Sequence, residues 1–173
     1  MYLDIDCPLN KLKIEEETLI IIIKKILKNL FIEFYDILIN LDKDVLILKS
    51  SNTKKLSLHI LIRCENKEIV FENNIVIGQL INFAVNNIES SLKHNLKNRL
   101  FDLNENEQNG IFYLNDKGLL TCVIDTKVYT RNRLFRTLGS CKKGRSDVFK
   151  FIKTPSWIER DEYTLRFKYF NQI

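Results

Sequence analysis

Cysteine is scarce and scattered in this chain. There are four, Cys7, Cys64, Cys122 and Cys141, and no CxxC pair. A cysteine-rich zinc cage needs closely spaced thiolates and is excluded on that ground. Free thiols fit a reducing intracellular compartment. Histidine (two), glycine (five) and proline (two) are also sparse. No Gly/Pro-rich linker and no internal repeat divides the chain. Its 173 residues and 20.5 kDa therefore read as one domain, long enough to bury a real core. Long apolar runs are missing too. In the most apolar region, residues 15–39, Lys24, Lys25, Lys28, Glu33 and Asp36 interrupt any membrane span. No membrane partner is expected. The first residues are acidic and no apolar segment follows them at once, so no secretory signal is expected either.

What is present is ordinary for a globular protein: 45% hydrophobic and 28% charged residues. The net charge of +5 is weak evidence for a polyanionic partner, because the wealth of Ile, Lys and Asn fits an AT-rich coding sequence. The distribution of charge says more than its total.

Periodicity predicts a strand over 2–6, a long helix over 15–39, and strands over 45–50 and 55–64. Glu15, Glu16 and Glu17 favour the helix N-terminus. KEIVFENN (67–74) reads as a short strand and turn, and 78–101 as a second helix. The polar stretch 102–110 reads as a loop, 118–125 as a strand, 133–138 as another, and 139–145 as a basic loop. Trp157 and the tail YTLRFKYF read as strand or sheet edge. The order β-α-β-β-α-β-β predicts an α+β fold, two main helices on a mostly antiparallel sheet, with a split βαβ layout.

Four features carry chemical meaning. Asp4 and Asp6 alternate on one strand, so both carboxylates share a face and repel. A divalent cation with a taste for hard oxygen ligands, Mg²⁺ or Mn²⁺, would remove that repulsion. A solvated strand end is the plainer reading. Asp125 closes an apolar strand and could complete a two-metal site, or simply start a turn. In Lys55-Leu56-Ser57-Leu58-His59, alternation puts a cation, a hydroxyl and an imidazole on one face, a set suited to phosphate oxygens. His94 reads as part of a solvated helix face. Finally, YTRNRLFRTLGSCKKGR (129–145) holds Arg131, Arg133, Arg136, Lys142, Lys143 and Arg145 without one acid. It suits phosphates of a nucleotide or a nucleic-acid backbone, or serves as a solvated basic edge.

The order of these pieces resembles the three-motif pattern of the archaeo-eukaryotic primase superfamily, and its eukaryotic primase-polymerase branch in particular. Asp4-Ile5-Asp6 resembles the first motif and LSLHIL, with Ser57 and His59, the second. VIDTKVYTRNRLFRTLGSCKKGR resembles the third with its basic extension. FENNIVIGQLINF (71–83) is similar to the stretch after the second motif. The resemblance implies an RRM-like catalytic module in which Asp4, Asp6 and Asp125 are catalytic and hold Mg²⁺ or Mn²⁺. It implies that Lys55, Ser57, His59, Arg136 and Lys142 bind an incoming (deoxy)nucleoside triphosphate. Arg131, Arg133, Lys143 and Arg145 are left as candidates for the nucleic acid. The implied reaction is attack of a 3′-hydroxyl on the α-phosphate, with a DNA template-primer as partner and pyrophosphate leaving.

Replication and damage tolerance in the nucleus or mitochondrion are the implied setting, with single-stranded-DNA-binding proteins as candidate partners. The first motif departs from the branch in having Asp for Glu at its second acid, which bears on metal preference. The family also has structure before its first motif and a zinc-binding region after the third. This chain is therefore expected to be a fragment of the catalytic core. A fragment that binds nucleotide or single-stranded nucleic acid without polymerising, and a metal-dependent nuclease, are the competing expectations.

Overall fold

The structure, a computed structural model, describes residues 1–50, 52–63, 71–131 and 135–153. Among these residues the centre is a four-stranded sheet in the order β1-β3-β2-β6. The strands are β1 (Tyr2–Pro8), β2 (Val45–Lys49), β3 (Lys55–Ile62) and β6 (Lys150–Lys153). Both β1 and β2 run antiparallel to β3, so they are parallel to each other with β3 between them. That is the split βαβ arrangement, with α1 (Glu16–Tyr35) as the crossover. The fold is α+β, and each strand pair in the sheet is antiparallel.

Alternation in the sequence decides which face of the sheet is which. Leu3, Ile5 and Cys7 of β1 join Leu56, Leu58 and Ile60 of β3 in the main core, under α1 and α2 (Asn74–Lys93). Each fully buried Leu or Ile is worth roughly 1.5–3 kcal/mol. A one-residue slip of β1 would drive Asp4 and Asp6 into that core, so the apolar set fixes the register that aims both acids at the opposite face.

Several elements depart from the periodic reading. The first helix ends at Tyr35, not 39. Asp36 takes a left-handed conformation (φ 51°) and its N–H bonds back to Ile32, a turn that Asp tolerates better than most residues. The second helix starts four residues early because the Asn73 side chain caps it, accepting from Ile75 and Val76 N–H at 2.9 and 3.1 Å. It ends at Lys93, and Asn95 turns the chain away at φ 53°.

The expected loop over 102–110 contains a helix, α3 (Glu105–Gly110). A reciprocal capping box between Asn104 and Glu107 starts it. The expected strand over 118–125 is split. Leu120–Cys122 (β5) pairs with an unexpected β4 (Phe112–Leu114) in a separate hairpin, and residues 123–125 turn to β1. No strand forms over 135–138. Residues 133 and 134 lie outside the described residues, as do residues 67–70 of the expected strand and turn, Cys64, Trp157 and the aromatic tail.

The second face of the sheet is covered by the late segment. Leu46, Leu48, Leu61 and Phe149 form a smaller core there, flanked by Phe135, Leu138 and Phe151. Its covering strand β6 pairs with β2 through an irregular register between Ile47 and Leu48. Among the described residues, no helix is long and apolar enough to cross a membrane.

Candidate active site

Strand register assembles the polar face. Across β1 and β3, Asp4 lies opposite His59, Asp6 opposite Ser57 and Pro8 opposite Lys55. Directly opposed residues share a face, so the acids stand beside the Lys-Ser-His row. On the edge of β1 away from β3, Ile5 bridges Ile124. Asp125 N–H donates to Asp4 O, and Asp6 N–H to Val123 O, both at 2.8 Å. Asp125, more than a hundred residues from Asp4 in sequence, is thereby its lateral neighbour.

Two contacts that the sequence does not advertise hold that neighbour in place. The Tyr129 hydroxyl donates to Tyr2 O at 2.7 Å. Gly78 on α2 lets the same tyrosine lie flush against the helix, since a Cβ there would meet Tyr129 Cβ at 2.5 Å. Asp125 itself caps a 3₁₀ turn over Thr126–Val128, its Oδ1 accepting from Lys127 N–H at 2.9 Å.

His59 is 1% exposed. Its ring is stacked between Phe135 and Phe149, with centroids at 4.0 and 3.9 Å. Burial depresses its pKa to about 3, so the ring is neutral. Nδ1 lies 2.7 Å from Arg136 O. A carbonyl only accepts, so Nδ1 carries the proton and Nε2 presents a lone pair. That lone pair faces Asp4 Oδ1 at 3.6 Å.

Asp4 is squeezed from several sides. Burial raises its pKa first, then the charges of Asp6 and Asp125, to about 6; Arg136 and Lys55 pull the other way. Three acceptors on this face, Asp4 Oδ1, Asp6 Oδ1 and His59 Nε2, are buried without a hydrogen-bond partner. Buried acceptors left so are costly and point to a positively charged or proton-bearing ligand.

The donor set suits a divalent cation that prefers oxygen. Two of the orphaned atoms are hard carboxylate oxygens, and a third carboxylate adjoins them. The set is not a ready-made cage. Among the described residues, no three His, Cys, Asp or Glu side chains are grouped as a metal-binding cluster. Asp6 Oδ2 is engaged by the Lys55 ammonium, and Asp125 Oδ1 by Lys127 N–H. A small cation at such a half-open site takes its remaining ligands from water and substrate phosphates.

Next to the acids is a cleft of the opposite charge. Lys55 and Ser57 of β3 line it, with Arg136, Lys142 and Arg145 from the late segment. Arg136 also lies over the Phe149 ring, 4.8 Å from its centroid. Ser50, Asn52 and Asp147 complete the wall. The structure thus brings Lys55, Ser57, Arg136 and Lys142 together. Of the described candidates for nucleic acid, only Arg145 joins them. Lys143 is exposed outside the cleft lining, and Arg131 is exposed after the 3₁₀ turn. Arg133 lies outside the described residues. His59 does not line the cleft; it lies beneath the site, tied to Arg136 and facing Asp4.

No protein-family model matches the chain. It is similar to the DNA-directed primase/polymerase protein of Danio rerio, with 30% identity over 141 residues. The match takes in 69% of this chain and 27% of that protein. The chain spans about a quarter of the length of this curated relative, and the similarity points to a related family.

Proposed function

We propose that this chain is the metal- and nucleotide-binding part of a DNA primase-polymerase, carrying out nucleotidyl transfer onto a 3′-hydroxyl. The observation that carries the reading is the meeting of two charge classes on one sheet face. Asp4, Asp6 and Asp125 gather on and beside β1, and Lys55, Ser57, Arg136, Lys142 and Arg145 ring the adjoining cleft. The similarity to a DNA-directed primase/polymerase supports it.

Each residue has a task in this reading. Asp4, Asp6 and Asp125 hold Mg²⁺ or Mn²⁺. When bound, such an ion supplies charge against the α-phosphate and the leaving pyrophosphate, and makes the primer hydroxyl more acidic. Arg136, with its planar fork of donors, suits two phosphate oxygens at once, while Lys142 and Arg145 add charge. Ser57 donates a hydrogen bond to a phosphate oxygen. Lys55 reaches both Asp6 and the cleft, so it can exchange a carboxylate for a phosphate. His59 takes a positioning role. Its Nδ1–H holds the Arg136 main chain and its ring packs the two phenylalanines behind the site.

Primer extension with Mn²⁺ and deoxynucleotides tests the proposal, comparing the wild type with Asp125→Ala. Extension by the wild type and its loss in the variant supports polymerisation. Nucleotide binding without extension in either protein favours a binding fragment. Cleavage of DNA with no affinity for free nucleotide favours a nuclease.

A further inference from the structure

Among the described residues, Asp147 is the one acid lining a cleft that also holds Lys55, Arg136, Lys142 and Arg145. A carboxylate among groups suited to phosphate is unfavourable for a polyanion unless it does something else. The structure shows what it does. Its Oδ2 accepts from Asn52 Nδ2 at 3.0 Å, and its main-chain carbonyl accepts from Ser50 Oγ at 2.7 Å. Ser50 and Asn52 belong to the connection between β2 and β3. Asp147 belongs to the segment that carries Lys142 and Arg145.

That segment is a loop closed at its base. Gly139 N–H donates to Phe149 O at 2.9 Å and Phe149 N–H to Ser140 O at 3.1 Å. Within it, Gly139 and Gly144 both adopt positive φ, 73° and 78°. Such a loop has much conformational freedom to lose when it grips a ligand. A second attachment near its outgoing arm reduces that freedom before the ligand arrives.

We infer that Asp147 is a positioning residue: by clipping the 139–149 loop to Asn52 and Ser50, it holds Lys142 and Arg145 in place for the triphosphate. The inference rests on the reading of the cleft as a nucleotide-phosphate site. Asp147 does not touch the phosphates; it acts through the loop's cations. The clip and simple electrostatics predict opposite signs. Removing an acid from a polyanion site should strengthen binding by charge alone. Removing the clip should weaken it.

The test is binding of a deoxynucleoside triphosphate, and of the monophosphate, to the full chain by calorimetric titration. Asp147→Ala is expected to weaken triphosphate binding by about tenfold, the usual worth of one well-placed charge-assisted hydrogen bond. The loss for the monophosphate should be smaller, because fewer of the loop's cations reach it; general damage to the fold would lower both alike.

A second comparison does not depend on that variant folding. Asn52→Asp keeps the acceptor that caps its own turn but loses the donor to Asp147, and should weaken binding. Adding Asp147→Asn returns a donor to the pair at the wild-type net charge, and should restore it. Equal or tighter triphosphate binding in Asp147→Ala, or no restoration by the exchange, overturns the clip. Failure of the wild type to bind any triphosphate overturns the reading of the cleft itself, and the clip with it.

Discussion

Asp4 and His59 face each other across β1 and β3 as two acceptors. The Asp4 Oδ1 atom and the His59 Nε2 lone pair are 3.6 Å apart, and neither has a hydrogen-bond partner. The His59 proton is committed to the other nitrogen by the Arg136 carbonyl. Among the described residues, no hydrogen-bond donor reconciles the pair. A group that brings positive charge would.

A consequence for stability follows from Asp4. Its pKa is raised from 3.8 to about 6, chiefly by burial and then by Asp6 and Asp125. The folded state therefore holds a proton that the unfolded chain has already released. Stability contributed by Asp4 is present below pH 3.8 and is lost as pH rises towards 6. His59 works in the opposite sense: its depressed pKa makes stability rise between about 3 and 6.5. The wild-type profile blends the two.

Asp4→Asn isolates the first. Denaturant unfolding in metal-free buffer at pH 7.5 is expected to show the variant more stable than wild type, by on the order of 2–3 kcal/mol. The gain should vanish by pH 4. A variant less stable than wild type at pH 7.5 would contradict the strain assigned to this carboxylate.

Gly78→Ala probes how Asp125 is held. The added methyl would meet Tyr129 Cβ at 2.5 Å, and both atoms are close to backbone, so one element has to move. Overpacking of this kind costs about 1–3 kcal/mol. It should also shift the 125–129 segment from β1, so the proposed nucleotidyl transfer should fall by more than the loss of folded protein explains. Activity per folded molecule equal to wild type would show that Tyr129 does not position Asp125.

Much of the site was legible in the chain because strand alternation is a strong local signal. Asp4 with Asp6, and Lys55 with Ser57 and His59, share faces by period alone, and apolar partners hold the register. What local sequence could not show is which strands meet. Asp125 reaches Asp4 through a bridge centred on Ile5 and Ile124, and Arg136 reaches His59 through a carbonyl. Neither contact has a side-chain signature.

Residues 133–138 read as a strand, but Phe135 stacks on His59 and Leu138 packs in the second core instead. Over 102–110 the polar composition masks a local helix start, Asn104 followed three residues later by Glu107. Asp147 carried no signal, because its meaning lies in Asn52 and Ser50 far along the chain.

The central claim is that one face of the sheet binds a divalent cation and a triphosphate together. The direct measurement is a Mn²⁺ titration followed by electron paramagnetic resonance, with and without a non-hydrolysable deoxynucleoside triphosphate. The account predicts Mn²⁺ binding to the protein that tightens when the triphosphate is present. Asp4→Asn or Asp6→Asn should abolish the binding, and Lys142→Ala should abolish the tightening beyond what free nucleotide and Mn²⁺ show alone. Mn²⁺ binding that is unchanged in both aspartate variants would contradict it.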